Sequence, residues 1–221
     1  MRLRNPYLLA GILVFIFISC QKEASVELPN NSPGNSNGNN SNGSGGSSNG
    51  SEIGTWKFIS MHSTTSQAVE TKIGSETVKD VTTSDYITEN NTGTLKFDGS
   101  NCTMTGIGYS VNTTVTATEY TNGVAGTPFQ SPMSVVLPPT DGTAPYKKIG
   151  SDSLYFANGA MSTVGTGGTV QSLAAGYKLR YYGTDSMTMS TVYDDVQLTV
   201  VSGISAKITS HAVIVSSLKK Q

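Results

Sequence analysis

The sequence predicts an all-β domain, an antiparallel up-and-down barrel of eight to ten strands, placed behind an apolar leader and a polar spacer. Three observations predict it. Between Thr55 and Thr209 the chain holds 28 threonines with abundant Val, Tyr and Gly, which is an alphabet of strands. No window in that region repeats apolar residues at i, i+3, i+4 and i+7 over three turns, so no amphipathic helix is expected. Period-two runs are bounded by turn dipeptides at short intervals, the spacing of a barrel or sandwich rather than of βαβ units.

The leader comes first. Arg2 and Arg4 precede Tyr7 to Ile18, an unbroken run of twelve apolar or small residues that ends in Ser19 and Cys20. This is the layout of a secretion signal, and it falls short of the roughly 20 apolar residues that a membrane-crossing helix needs. Phe17-Ile18-Ser19-Cys20 resembles the lipobox of bacterial lipoproteins, with Phe where Leu is usual. That resemblance implies that residues 1–19 are a cleaved signal peptide and that the Cys20 thiol carries a diacylglycerol anchoring the protein to a membrane. Gln21-Lys22-Glu23 resembles the short Lys-plus-acid export tag of surface-exposed lipoproteins of Bacteroidota, which implies an outer-membrane lipoprotein displayed at the cell surface. A solvated charged start to a linker is the alternative reading of the same residues.

The spacer follows. From Asn30 to Ser51 every residue is Asn, Ser, Gly or Pro, so nothing apolar is available to offset the entropy of ordering the chain. Residues 20–52 are therefore expected to form a disordered tether. About 30 such residues span roughly 30 Å as a flexible coil, enough to hold a domain clear of lipid headgroups. Without Arg2 and Arg4 the chain carries 12 basic and 15 acidic side chains. With no concentrated basic patch, nucleic acid is not an expected partner.

Residues 53–221 form the domain, about 170 residues, long enough to bury roughly 70% of the surface of the unfolded chain. Alternation is legible at Leu95-Lys96-Phe97, Val111 to Ala117, Tyr177 to Tyr181 and Ile204 to Ile208, each placing one apolar set on one face. Asp98-Gly99, Asn122-Gly123, Asp141-Gly142, Asn158-Gly159, Gly183-Thr184-Asp185 and Ser202-Gly203 read as the turns between strands. Gly106 and Gly108 sit inside a run, where they mark a bend or bulge. A phosphate-binding reading of that pair fails, because Val111 stands where a third glycine would be and no helix follows.

Gly54-Thr55-Trp56, opening the first strand ahead of successive hairpins, resembles the start of a lipocalin-like domain, in particular that of lipocalin-like lipoproteins of Bacteroidota. Gly93 to Phe97, Asp152 to Phe156 and Asp185 to Met189 resemble further strands of that group, and the likeness spans most of residues 53–217. It implies a lipocalin-like barrel whose closed end is plugged by Trp56 under a basic residue from the last strand. Arg180 lies too early for that part, leaving Lys219 or Lys220. It also implies an interior that takes a small apolar ligand.

No catalytic constellation is legible, so an enzyme is not expected, and neither a cofactor nor a metal is implied. His62 and His211 are the only histidines and share no local signature with Cys102, which reads as a small buried apolar side chain. Asp194 and Asp195 are adjacent on a strand and point to opposite faces, so they cannot converge on one substrate as a paired-carboxylate mechanism requires. Met187, Met189 and Tyr193 share one face, and Met104 and Met133 fall on other strands. Together these five are the candidate lining of a ligand cavity, since methionine adapts to varied apolar guests. The same residues could fill a small barrel completely, in which case the domain would serve as an accessory module docking on another envelope protein. Asp152-Ser153-Leu154 and Asp185-Ser186-Met187 resemble an O-glycosylation motif of Bacteroidota, with a turn Asp ahead of a strand start as the alternative.

Overall fold

The computed structural model describes residues 50–159, 163–164, 170–171, 175–201 and 204–221. The leader, Cys20, the spacer up to residue 49 and the Ser202-Gly203 dipeptide lie outside the described residues. Thirteen strands are present among those described. The first half holds β1 (Gly54–Ile73), β2 (Glu76–Ile87), β3 (Glu89–Phe97), β4 (Asn101–Thr121), β5 (Val124–Ala125) and β6 (Phe129–Pro145). The second half holds β7 (Lys147–Ile149), β8 (Ser153–Phe156), β9 (Thr163–Val164), β10 (Val170–Gln171), β11 (Ala175–Tyr182), β12 (Ser186–Val201) and β13 (Ile204–Lys220).

All pairings are antiparallel, and the segments reduce to eight walls. β2 and β3 lie end to end along β1, from Ile73↔Glu76 to His62↔Ile87 and then from Lys57↔Thr94 to Gly54↔Phe97. They are one long strand with an interruption between them. β6 and β7 are separated by Tyr146 alone, yet β6 pairs with β4 and β7 with β8. The walls therefore run β1, β2–β3, β4, β6–β7, β8, β11, β12, β13, each bonded to the next, and β13 returns to β1 from Trp56↔Lys220 to Thr71↔Ala206. This is the all-β antiparallel up-and-down barrel that the threonine-rich alternation predicts. β5 prolongs the β4 hairpin, and β9 and β10 pair only with each other.

The second wall breaks at Thr88, which exchanges hydrogen bonds with Met61, and further along β3 a glycine lets it approach β4 closely. Gly93 has φ 93° and Gly106 φ 59°, and a Cβ on Gly93 would fall 2.4 Å from the carbonyl oxygen of Gly106. Only a residue without a side chain allows that approach. The register of β4 shifts between Met104 and Ile107 and again between Ile107 and Tyr109, which is the bend expected at Gly106 and Gly108. Asp141-Gly142, expected to be a turn, instead lies inside β6, where Gly142 pairs with Met104. The Asp141 carboxylate accepts the Gly106 N–H at 2.7 Å, so this dipeptide supports the bulge on the neighbouring strand.

A second irregularity decides what faces inward. The β1 register shifts between Phe58 and Ser60, leaving Ile59 exposed. One extra residue flips the alternation. Trp56 and Phe58 face the interior before the bulge, whereas Met61, Ser63 and Thr65 do so after it. The ring is complete only toward one end, because β8 and β11 span four and eight residues while β1 and β4 span 20 and 21. Among the described residues β12 beyond Ser190 pairs only with β13, and β6 pairs only with β4. The barrel thus has a closed floor and a mouth open on one side.

Candidate functional site

The floor is built from both ends of the barrel chain. Trp56 is buried, its indole N–H donating to the Glu52 carbonyl at 2.7 Å. The Lys220 ammonium, from the last strand, lies 5.5 Å from the ring centroid, within cation–π reach. Of the two basic residues left open by the sequence, Lys220 is therefore the one over Trp56. Glu52 is itself 2% exposed, and its carboxylate pairs with the Lys148 ammonium at 2.5 Å, which ties the segment before β1 to β7. The Tyr181 hydroxyl reaches the same carboxylate at 3.5 Å. Burial, and then the charge of Glu52, push the Tyr181 hydroxyl far above the usual tyrosine range. Phe97, Tyr146, Phe156 and Tyr177 complete the floor as a chain of rings with centroids 5.7, 5.6 and 5.5 Å apart, a spacing that favours tilted and edge-on contacts.

Above the floor the wall is apolar. Met187 and Met189 are buried side by side on the inner face of β12, with Met61 across from them on β1. Met104 and Met133 pack against the same cluster while half-buried. Of the five candidate cavity residues, Met187 and Met189 adjoin on β12, whereas Met104, opposite Gly142, and Met133, opposite Thr113, meet the core at different heights. Tyr193 shares the inner face of β12 but lies higher, beside Asp195, outside that cluster. Burial and the adjacent Asp195 carboxylate push its hydroxyl up to about 12.

At mid-height the lining changes from apolar to hydroxylic. Ser63 on β1 and Thr191 on β12 both stand opposite Ile214 in register, and Ser63 stands opposite Tyr86 on its other side. The Tyr86 hydroxyl donates to the Val164 carbonyl at 2.8 Å and accepts the Val164 N–H at 3.2 Å. Val164 is fully buried and belongs to the connection between β8 and β11, on the far side of the ring from β2. Val164 of β9 therefore reaches into the barrel, where Tyr86 bonds both its backbone N–H and its C=O. Thr65 and Ser84 bond to each other at 2.7 Å. Ser63 and Thr191 are buried with no hydrogen-bond partner for their hydroxyls among the described residues.

Higher still the inner face is acidic. Asp80 and Glu119 are opposed in the β2–β4 register, and Asp195 follows Thr191 and Tyr193 on the inner face of β12. Burial first, then the Glu119 charge, raise the Asp80 carboxyl above its ordinary value. Asp194 points outward instead and meets His211 at 2.7 Å, so the two adjacent aspartates occupy opposite faces, as strand alternation requires. His62 likewise pairs outside the barrel, with Asp85 at 2.6 Å.

Cys102 is buried at the floor, where desolvation, followed by the Asp98 charge, pushes its thiol up to about 12. That removes the thiolate which nucleophilic chemistry would need. Ser153 and Ser186 open β8 and β12 directly after a turn, each bonded to its preceding aspartate at 3.2 and 3.0 Å, which is the turn geometry weighed against the glycosylation motif. On the outer face a groove of about 270 Å³ crosses β2, β1 and β13, where Glu70 stands between Lys79 and Lys207 in register.

Sequence reasoning missed Glu52, Ser63, Tyr86, Val164 and Thr191. The available signal was weak: a serine at an inward position following Phe58 and Met61 appears only once the bulge at Ile59 is known. Comparison with family models, with curated proteins and with solved structures finds no match to the chain.

Proposed function

We propose that the protein is a lipid-anchored envelope lipoprotein whose lipocalin-like barrel binds a small, largely apolar ligand and catalyses nothing. The observation that carries this reading is the pairing of Trp56 from the first strand with Lys220 from the last across the closed end of an eight-walled meander. It seals one end and leaves the methionine-lined interior to be reached from the other, the arrangement that small ligand-holding barrels use. The leader ending at Cys20 and the polar spacer support attachment to the outer membrane with the domain held at the cell surface.

Extraction of protein purified from native envelopes, followed by mass spectrometry of the extract, tests ligand binding. A stoichiometric apolar compound is the expected result, together with a rise in melting temperature when it is added back. An empty extract and no thermal response to a panel of lipids, bilins and steroids would refute the reading. The anchor has its own test: maturation should be sensitive to globomycin, and the mature chain should carry acyl groups.

One observation favours a second reading, a module docking on another envelope protein. The outer face of β12 exposes Val192, Val196, Leu198 and Val200 at 61%, 59%, 83% and 65%, on a strand whose far edge has no partner among the described residues. Long apolar edges are templates for strand pairing with another chain. Under this reading Leu198→Lys abolishes crosslinking to the envelope partner, and under ligand binding alone it leaves the ligand unaffected.

A further inference from the structure

We propose that Ser63 and Thr191 are the polar anchor of the interior site, and that the site takes a neutral amphiphile, an apolar chain bearing a hydroxyl or amide, in preference to a carboxylate. The inference rests on the ligand-binding reading above and specifies its chemistry.

The first argument is the orphaned pair. Ser63 is 0% and Thr191 6% exposed, and neither hydroxyl has a hydrogen-bond partner among the described residues. Buried polar groups are nearly always paired, so such exceptions call for a reason. Both residues oppose Ile214, which sets their Cα atoms two strand spacings apart, about 10 Å, on a concave inner surface. One small polar group lying over Ile214 can address both.

The second argument is what already occupies this height. Tyr86, opposite Ser63, grips the N–H and C=O of Val164. The segment inserted here thus presents a neutral amide and an apolar side chain. A ligand with the same combination suits the place beside it over Ile214, and the flexible side chains of Met61 and Met189 adjoin both anchors along their own strands.

The third argument is charge. Among the described residues the inward acidic side chains above the anchor are Asp80, Glu119 and Asp195, with Glu76 beyond them at the β1–β2 hairpin. Lys79, Lys207 and His211 line the outer groove, and Lys148 and Lys220 serve the floor. A carboxylate entering by the mouth passes these acids and meets no cation. Its desolvation is uncompensated.

The test uses the full chain purified in a maltoside detergent, with the fluorescence of Trp56, the single tryptophan, as readout. The probes are 1-tetradecanol, tetradecanamide, tetradecane and myristate at pH 7.5. Alcohol and amide should bind at least about tenfold more tightly than myristate, as expected for an unpaired buried charge. Ser63→Ala and Thr191→Val should each weaken the alcohol by about 3- to 10-fold, the worth of one hydrogen bond, and leave tetradecane unchanged. Ratios between variants are free of micelle partitioning. Without ligand both variants should melt no lower than wild type, a combination that damage to the fold would not produce. Equal affinity for myristate and alcohol, or alcohol binding indifferent to both substitutions, would overturn the inference while leaving a ligand-binding barrel standing. Failure of every probe to bind would also overturn the inference, while the extraction experiment decides the ligand-binding reading separately.

Discussion

Lys148→Met strands a buried carboxylate, and its cost follows from the floor geometry. Glu52 is 2% exposed and Lys148 39%, so the pair is buried on one side only. Breaking a fully buried pair by removing one partner costs about 3–5 kcal/mol. The exposure of Lys148 lets water approach Oε2 once the ammonium is gone, which places the expected loss at about 3 kcal/mol. The Tyr181 hydroxyl, at 3.5 Å, is too distant to replace the lysine. Glu52→Gln should cost only about 1 kcal/mol, because the freed ammonium is already partly in water and can rotate outward. The double variant should resemble Glu52→Gln alone, giving a coupling energy of about 2–3 kcal/mol. For a folded unit of about 170 residues each kcal/mol moves the melting temperature by roughly 2–4 °C. Lys148→Met should therefore melt about 6–12 °C below wild type, and the double variant about 2–4 °C below. Urea unfolding followed by circular dichroism gives the same energies independently, provided the slope of free energy against denaturant is unchanged. Single effects that simply add, or a Lys148→Met loss under about 1 kcal/mol, would show that Glu52 is not held as a buried ion.

Three further outcomes are expected. Lys220→Ala should lower stability by about 0.5–1 kcal/mol, the worth of a partly exposed cation–π contact, and shift the emission of Trp56, whereas an unaltered spectrum would separate Lys220 from the floor. Cys102, fully buried with its thiol pushed up to about 12, should resist a thiol reagent at pH 8 until urea unfolds the chain; labelling of the native protein would contradict its burial. Asp80 has its folded value raised above the ordinary 3.8 by burial and by Glu119, so as pH climbs the unfolded state gives up this proton first and stability falls across that window. Asp80→Asn should accordingly raise the melting temperature at pH 7, by an amount corresponding to about 0.5 kcal/mol for relief of an opposed like-charge pair. The gain should vanish below pH 3.8, and a gain equal at both pH values would exclude the opposed carboxylates as its source.

The floor was legible because its residues obey local rules. Gly54-Thr55-Trp56 announces the first strand, and Leu95 and Phe97 alternate with Lys96 in the manner of a strand buried on one face. Gly106 marks its own bend. The strand count was harder to read, since β2 and β3 form one wall and Asp141-Gly142 mimics a turn inside β6. The first follows from the Thr88–Met61 bonds at the break and the second from the Gly106 N–H bonded to Asp141, partners remote in sequence from the segments they affect. The interior site was illegible for a different reason. Its inward positions carry Ser63, Thr65, Ser84 and Thr191, and hydroxylic residues alternate with others just like them, so neither face stands out. Under the proposed function, the same property suits these positions to a ligand. A barrel packed solid needs apolar side chains at inward positions all along its walls, as this one has from Trp56 to Met61. Where the inward set becomes hydroxylic, side-chain volume falls and polar groups remain to be satisfied. Tyr86 meets that demand with the backbone of Val164, whereas among the described residues nothing meets it for Ser63 and Thr191. Evolution of a stable empty barrel would favour Ala and Val at those two positions, because burying an unpaired hydroxyl costs about 1–3 kcal/mol. Under the proposal made above, the polar group of a guest supplies the missing partner of both hydroxyls.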